Sequence, residues 1–229
     1  MSKRNGKARA AAVADLPQPV KVAGPAHEVR LDLGAGENVR EGFEGVDFFA
    51  PNAKHKVNLL SFPWPWADNS VDELHSSHFL EHIPMVYTRE NASGGWLYEN
   101  VPNVPESRDL LCRFMDEAFR VLKPGGKFKI IVPSGRSDRA FQDPTHRRFF
   151  VEASFFYFDK RFRDNNKLGH YLCGCDFQGN VSFVMPSEIG LLSSEAGGGQ
   201  KSPQARKTTE YWNTTIDFIA DLVCMKPKG

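Results

Sequence analysis

One stretch, residues 29–49 (VRLDLGAGENVREGFEGVDFF), restricts the fold more than any other part of the chain. Val29 to Leu33 is a short apolar run carrying a single acid, Asp32, the pattern of a strand buried in a sheet. Gly34, Ala35 and Gly36 come directly after it, so the backbone turns tightly and a ligand can approach it closely. After Gly45 and Val46 comes Asp47, where an α/β nucleotide fold presents a carboxylate to two ribose hydroxyls. A glycine turn and then a second strand ending in an acid point to an adenosine-bearing cofactor.

A dinucleotide is disfavoured. Val39 stands at the third glycine position of GxGxxG, and few residues remain before the next strand for the helix that would receive a pyrophosphate. The sequence DLGAG from Asp32 to Gly36, with GFEGVDFF from Gly42 to Phe49, instead resembles motif I and the acidic second-strand loop of class I S-adenosylmethionine-dependent methyltransferases. Two later segments carry the same resemblance in the same order. Asn58, Leu59, Pro65, Trp66, Asp68, Ser70, Val71 and Asp72 match the family's approach to its fourth strand, and His78, Leu80, Glu81 and His82 match the segment just beyond that strand. FRVLKPGGKFKIIVP, from Phe119, resembles the family's helix, turn and fifth strand. Together the three segments span residues 29–133.

The resemblance implies a doubly wound α/β fold with a mostly parallel, seven-stranded sheet of Rossmann-like methyltransferase type. It implies S-adenosylmethionine as cofactor and S-adenosylhomocysteine as product. Carried onto this chain, it assigns Asp32, Gly34, Ala35, Gly36, Asp47 and Phe48 to the turn and ribose edge, and Ser77 and His78 to the end of the fourth strand. Asn58 and Leu59 would flank the adenine; the family often has Asp at the first of these, and an amide both donates and accepts there.

The implied reaction is displacement at the methyl carbon of a sulfonium, for which the protein aligns nucleophile, methyl and sulfur and excludes water. A base is needed only when the nucleophile carries a proton to lose, and His146, His82 and Glu81 are the catalytic candidates. His146 lies in a Pro-x-His segment followed by aromatics, which in related methyltransferases sits near the mouth of the site. DPTH, from Asp143, lacks the second proline and the tyrosine of the nucleic-acid amino-methyltransferase signature, and no ProCys nucleophile is present. The expected acceptor is therefore a small molecule ahead of RNA, DNA or protein; a non-catalytic nucleotide-binding adaptor is the alternative from another class.

The remaining sequence sets bounds. The 229 residues make one domain, 41% hydrophobic and 25% charged, which is the balance of a folded chain. A net charge of +1 calls for no polyanionic partner. With four cysteines in no disulfide framework, no signal peptide and no run of eighteen apolar residues, a reduced cytoplasmic protein without a membrane segment is expected. Residues 1–27 read as a flexible basic arm (Lys3, Arg4, Lys7, Arg9), the one place where nucleic acid would be touched, and residues 28–229 as the domain, with loop insertions near 84–105 and 186–209.

Further strands are expected over residues 54–60, 71–75, 127–132, 176–185 and 214–225, and a helix from Glu106 to Leu122. HFLEH also fits the HxxEH pattern of inverted zinc peptidases, and HYLCGC holds three soft donors. The first has no identifiable third ligand and the second no paired CxxC spacing, so no metal is expected.

Overall fold

The computed structural model describes residues 28–90, 96–99, 108–185, 191–195 and 212–227. The expected basic arm lies outside them. The main sheet is built from β1 (Arg30–Leu33), β2 (Glu44–Val46), β3 (Val71–Ser77), β7 (Leu122–Pro133), β8 (Phe177–Val184), β9 (Leu191–Glu195) and β10 (Asp217–Cys224). Its order is β2-β1-β3-β7-β10-β8-β9. The first four strands run parallel, and β10, β8 and β9 join antiparallel. The parallel strands are apolar because both faces are covered: Leu31, Leu33, Leu74, Phe128 and Ile130 are fully buried. The α/β class is as expected.

From β1 the chain passes to β2 on one side, then returns to β3 on the other. The strand order thus reverses about β1, and in such sheets ligands bind in the crevice beyond the carboxyl ends at that point. The turns after β1 and β3 are therefore the ones that matter.

Six of the seven expected strands are in place; the seventh is not. Residues 54–60 make one parallel bridge, His55 with Val46, and then leave the sheet. The side chain of Asn58 accepts from Leu60 N–H at 3.0 Å and its carbonyl from Ser61 N–H at 3.0 Å, so the backbone turns where a strand would continue. The opposite edge gains β9, from within residues read as a loop. The stretch 84–105, expected as a loop insertion, contributes β4 (Tyr87–Glu90) and β5 (Trp96–Glu99), which form a small antiparallel sheet with β6 (Arg108–Asp109).

Helix α1 (Leu110–Val121) buries Leu110, Leu111, Phe114, Met115, Ala118 and Val121, the three-and-four spacing of a core-facing stripe. Asp109 caps it by accepting from Leu111 N–H at 2.9 Å. The start expected at Glu106 lies outside the described residues. Pro124 to Gly126, expected as a turn before the strand, forms a bulge inside β7: Val71 pairs with Leu122, and Glu73 already pairs with Lys127. From α1, Arg120 donates to the carbonyls of Trp64 and Trp66 and to Asp68, fastening the proline-rich connection to β3.

Candidate functional site

The turn after β1 is shaped from both sides. Gly34 and Gly36 have φ of +69° and +55°, the left-handed region that glycine enters without strain. A Cβ on Gly34 would lie 2.3 Å from the ring of Phe79, whereas one on Gly36 would meet nothing within 4 Å. The first glycine thus makes room for the protein and the second leaves its outer side open.

Asp47 closes the other side. Its Oδ2 accepts from Gly36 N–H at 3.1 Å, and its Oδ1 accepts from Phe49 N–H at 2.7 Å and Ala50 N–H at 2.8 Å. Burial would raise the carboxyl pKa, but the amides of Ala50, Phe49 and Gly36 and the charge of Lys56 outweigh it and hold the group below its ordinary range. A half-buried, ionised carboxylate is thereby fixed against the glycine turn. Phe48 is exposed beside it.

Asp32 lies inside the turn's base. It is 3% exposed, with Oδ1 2.7 Å from His75 Nδ1 and Oδ2 accepting from Arg40 N–H at 2.8 Å. Through those bonds Asp32 braces the turn from beneath. Leu59 is a core side chain whose carbonyl accepts from Trp64 Nε1–H at 3.0 Å, while Asn58 is exposed at the head of its turn.

The second half of the site lies beyond β3. Ser77 ends the strand, and His78, at φ +53°, turns the chain out of the sheet while its N–H donates to Ile131 O at 2.9 Å. The turn sends a short 3-10 segment, Leu80–His82, under the loop 143–148. Arg147 N–H and Arg148 N–H both donate to the carbonyl of Glu81, at 2.7 and 3.0 Å, which brings His146 back over residues distant in sequence.

Glu81, His82 and His146, the three catalytic candidates, therefore meet. Their ligand atoms lie within 4.8 Å of one another, and the two imidazoles pack edge to face at 4.8 Å between centroids. Glu81 is 1% exposed; Oε1 is 3.2 Å from His78 Nδ1 and 4.0 Å from His146 Nε2, and Oε2 is buried without a hydrogen-bond partner among the described residues. His146 Nδ1 lies 2.9 Å from Ala140 O, so it must donate, and in the neutral ring the lone pair is then on Nε2. For His82, Thr145 Oγ1 gives its one proton to Asp143 Oδ1 at 2.7 Å and accepts from Nδ1 at 3.0 Å. Both imidazoles are held in the tautomer whose Nε2 accepts a proton.

Two members of this cluster escaped the sequence reading. Asp217 opens β10 opposite Pro133, with Oδ2 3.2 Å from Arg139 Nη1 and 4.0 Å from His78 Nε2. Burial pushes its carboxyl pKa up, against the pull of Arg139 and His78. Arg139 sits in α2 (Arg139–Gln142). Neither carries a local signal, because antiparallel pairing of the last strand places them here.

The hydrogen bond to Glu81 raises the His78 pKa above its ordinary value of 6.5, partly opposed by burial and helped by the charge of Asp217. A raised folded-state pKa favours the imidazolium, so its stabilisation is complete below pH 6.5 and is lost as pH rises through the folded value. Thermal midpoints of the wild type are expected to fall over that interval, and His78→Gln to flatten the fall. An unchanged slope in the variant would remove His78 from the cluster's charge balance.

No protein-family model matches this chain and no curated protein matches it. Its structure is similar to solved ones. A SAM-dependent methyltransferase from Archaeoglobus fulgidus is 17% identical, with 86% of each chain covered and a TM-score of 0.49. The 16S rRNA (adenine(1408)-N(1))-methyltransferase of Catenulisporales acidiphilia, solved with SAM, is 12% identical over 89% of this chain and 88% of its own, with a TM-score of 0.45. An S-adenosylmethionine-dependent methyltransferase from Mesorhizobium loti is 12% identical over 85% and 90%, with a TM-score of 0.42.

Among the described residues, no helix is long and apolar enough to cross a membrane. Two cavities lie away from the glycine turn. One, of about 450 Å³, is lined by Phe155, Phe162 and Phe177 among others; the other, of about 360 Å³, by Asp138, Phe141, Gln142 and Trp212.

Proposed function

We propose that this chain is an S-adenosylmethionine-dependent methyltransferase acting on a small-molecule acceptor. The observation that carries the reading is the 3.1 Å bond from Gly36 N–H to Asp47, which joins an open glycine turn and an ionised carboxylate at the reversal of strand order. In this reading Asp47 accepts from the ribose hydroxyls, Gly34 to Gly36 leave room for the amino-acid portion, and Asn58 and Leu59 border the adenine. Ser77 and His78 line the methionine side.

The cofactor's sulfonium supplies an activated methyl group. What remains for the protein is alignment and exclusion of water, with a proton acceptor where the nucleophile is a hydroxyl. His146 and His82 suit that task through the tautomers their partners impose. Glu81, buried beneath both, stabilises whichever becomes cationic and acts through them rather than on the acceptor.

A small, planar acceptor is favoured by the aromatic rings near the Arg139 side of the cluster. Phe141 stacks on Phe149 at 4.5 Å and on Trp212 at 5.7 Å, all three partly exposed, while Trp212 Nε1–H donates to Asp138 at 2.6 Å. Cytoplasmic location belongs to the same proposal.

The test is a transfer assay with methyl-labelled cofactor across phenols, amines, peptides and RNA. Label is expected in a phenol or aromatic amine. Label in RNA alone, lost with residues 1–27 deleted, would replace the small-molecule reading; cofactor binding without transfer to any acceptor would favour the adaptor.

A further inference from the structure

Helix α1 carries more than its core stripe. Cys112 and Asp116 stand four residues apart, hence one turn apart on a common face. Against that face runs the segment 172–176 leading into β8, in which Cys173 and Cys175 alternate along the chain and point the same way. Leu172, at φ +53°, redirects the backbone into this course.

The donors are close. Cys173 Sγ lies 3.3 Å from Cys175 Sγ and 3.8 Å from Asp116 Oδ1, and Cys112 neighbours Cys173. Thiolates bound at about 2.3 Å around a tetrahedral ion sit about 3.8 Å apart, so Cys173 and Cys175 already have nearly the spacing such an ion requires. Cys175 is fully buried, and Cys112 and Cys173 are partly so.

The surroundings resemble the support that metal ligands receive. Asp116 Oδ1 accepts from Gly174 N–H at 2.7 Å and Cys175 N–H at 2.8 Å, which fixes the segment on the helix, and Oδ2 lies 3.1 Å from Arg108 Nη1. From below, buried Arg163 donates to Cys175 O at 2.5 Å and Tyr157 O at 2.7 Å.

We propose that Cys112, Cys173 and Cys175, with Asp116 as fourth donor, bind a thiophilic divalent cation of the zinc class and staple the entry of β8 to α1. Four donors in a closed arrangement make a structural site. On binding, the cysteines ligate as thiolates and their protons leave to solvent.

The sequence expectation of no metal counted donors within one segment. His170, the third donor counted there, is exposed and lies against Tyr171 at 4.5 Å, outside the cluster; α1 supplies Asp116 in its place, with Cys112 beside Cys173.

The test is metal analysis of the full untagged chain purified after growth with zinc. About one zinc per chain is expected for a closed four-donor site, falling at least tenfold in Cys173→Ser and unchanged in His146→Ala. Should the serine variant fold poorly, cobalt loading of the wild type decides: a thiolate-to-cobalt charge-transfer band is expected. Three results would each overturn the site: metal-free protein with all thiols reactive, a Cys173–Cys175 disulfide, or metal lost in His146→Ala and kept in Cys173→Ser. None of these readouts depends on methyl transfer.

Discussion

Asp47→Ala is expected to weaken S-adenosylmethionine binding by one to two orders of magnitude while the fold survives. A carboxylate accepting two hydroxyl protons contributes about 1.5–3 kcal/mol through hydrogen bonds to a charged group. That loss corresponds to roughly a 10- to 150-fold rise in Kd. The three amides that Asp47 now satisfies, of Gly36, Phe49 and Ala50, border exposed residues and turn to water in the variant. Near neutral pH the variant should lose only the stability that the ionised carboxylate contributes, and the domain stays folded.

Isothermal calorimetry with the intact cofactor measures the effect, and Asp47→Asn should fall between wild type and alanine because the amide keeps one acceptor. The acid limb provides a second reading of the same residue. A depressed folded-state pKa gives stability above the ordinary value of 3.8 that disappears as pH falls through the folded value, so the alanine variant should show a shallower acid transition. Unchanged cofactor affinity in Asp47→Ala would remove the ribose assignment, and the methyltransferase proposal with it.

How much of this was legible in the chain depended on range. The glycine turn, Asp47 and the stripe from Leu110 to Val121 announce themselves because each is set by residues within a few positions of one another. Residues 54–60 misled because their alternation suits a strand, while the turn at Asn58 is a competing local bond that periodicity does not register. Pro124 to Gly126 read as a stop, yet neighbouring β3 accommodates them as a bulge. At the site, Glu81 and His146 were separate candidates whose meeting was not expected, and neither was the pairing of Arg139 with Asp217. The separations are 65 and 78 residues, and such contacts arise from how the sheet is assembled. Asp32 shows the same dependence on range: the motif places it beside the turn, while its partner His75 comes from β3.

Gly34→Ala tests whether the turn is held as described, and its expected cost is several kcal/mol. Two effects add. A left-handed conformation costs a residue bearing Cβ about 1–2 kcal/mol, and φ here is +69°. The new Cβ would also lie 2.3, 2.5 and 2.8 Å from Phe79 Cδ2, Cγ and Cβ, too close for the ring to remain. Phe79 cannot simply withdraw, because its ring packs on Phe114 of α1 at 5.8 Å, and overpacking at such a contact costs about 1–3 kcal/mol. The sum, about 2–5 kcal/mol, is a large share of the roughly 5–15 kcal/mol that holds a domain together. Gly36→Ala provides the contrast: it shares the positive φ, but its Cβ enters open space, so only the backbone cost of about 1–2 kcal/mol remains. Urea denaturation of both variants, with Phe79→Ala alone and combined with Gly34→Ala, separates the terms, since only the steric one should appear as coupling between positions 34 and 79. Equal losses at the two glycines, or no coupling to Phe79, would mean that the ring does not press on the turn, and the positioning of the turn against the β3 exit would need another cause.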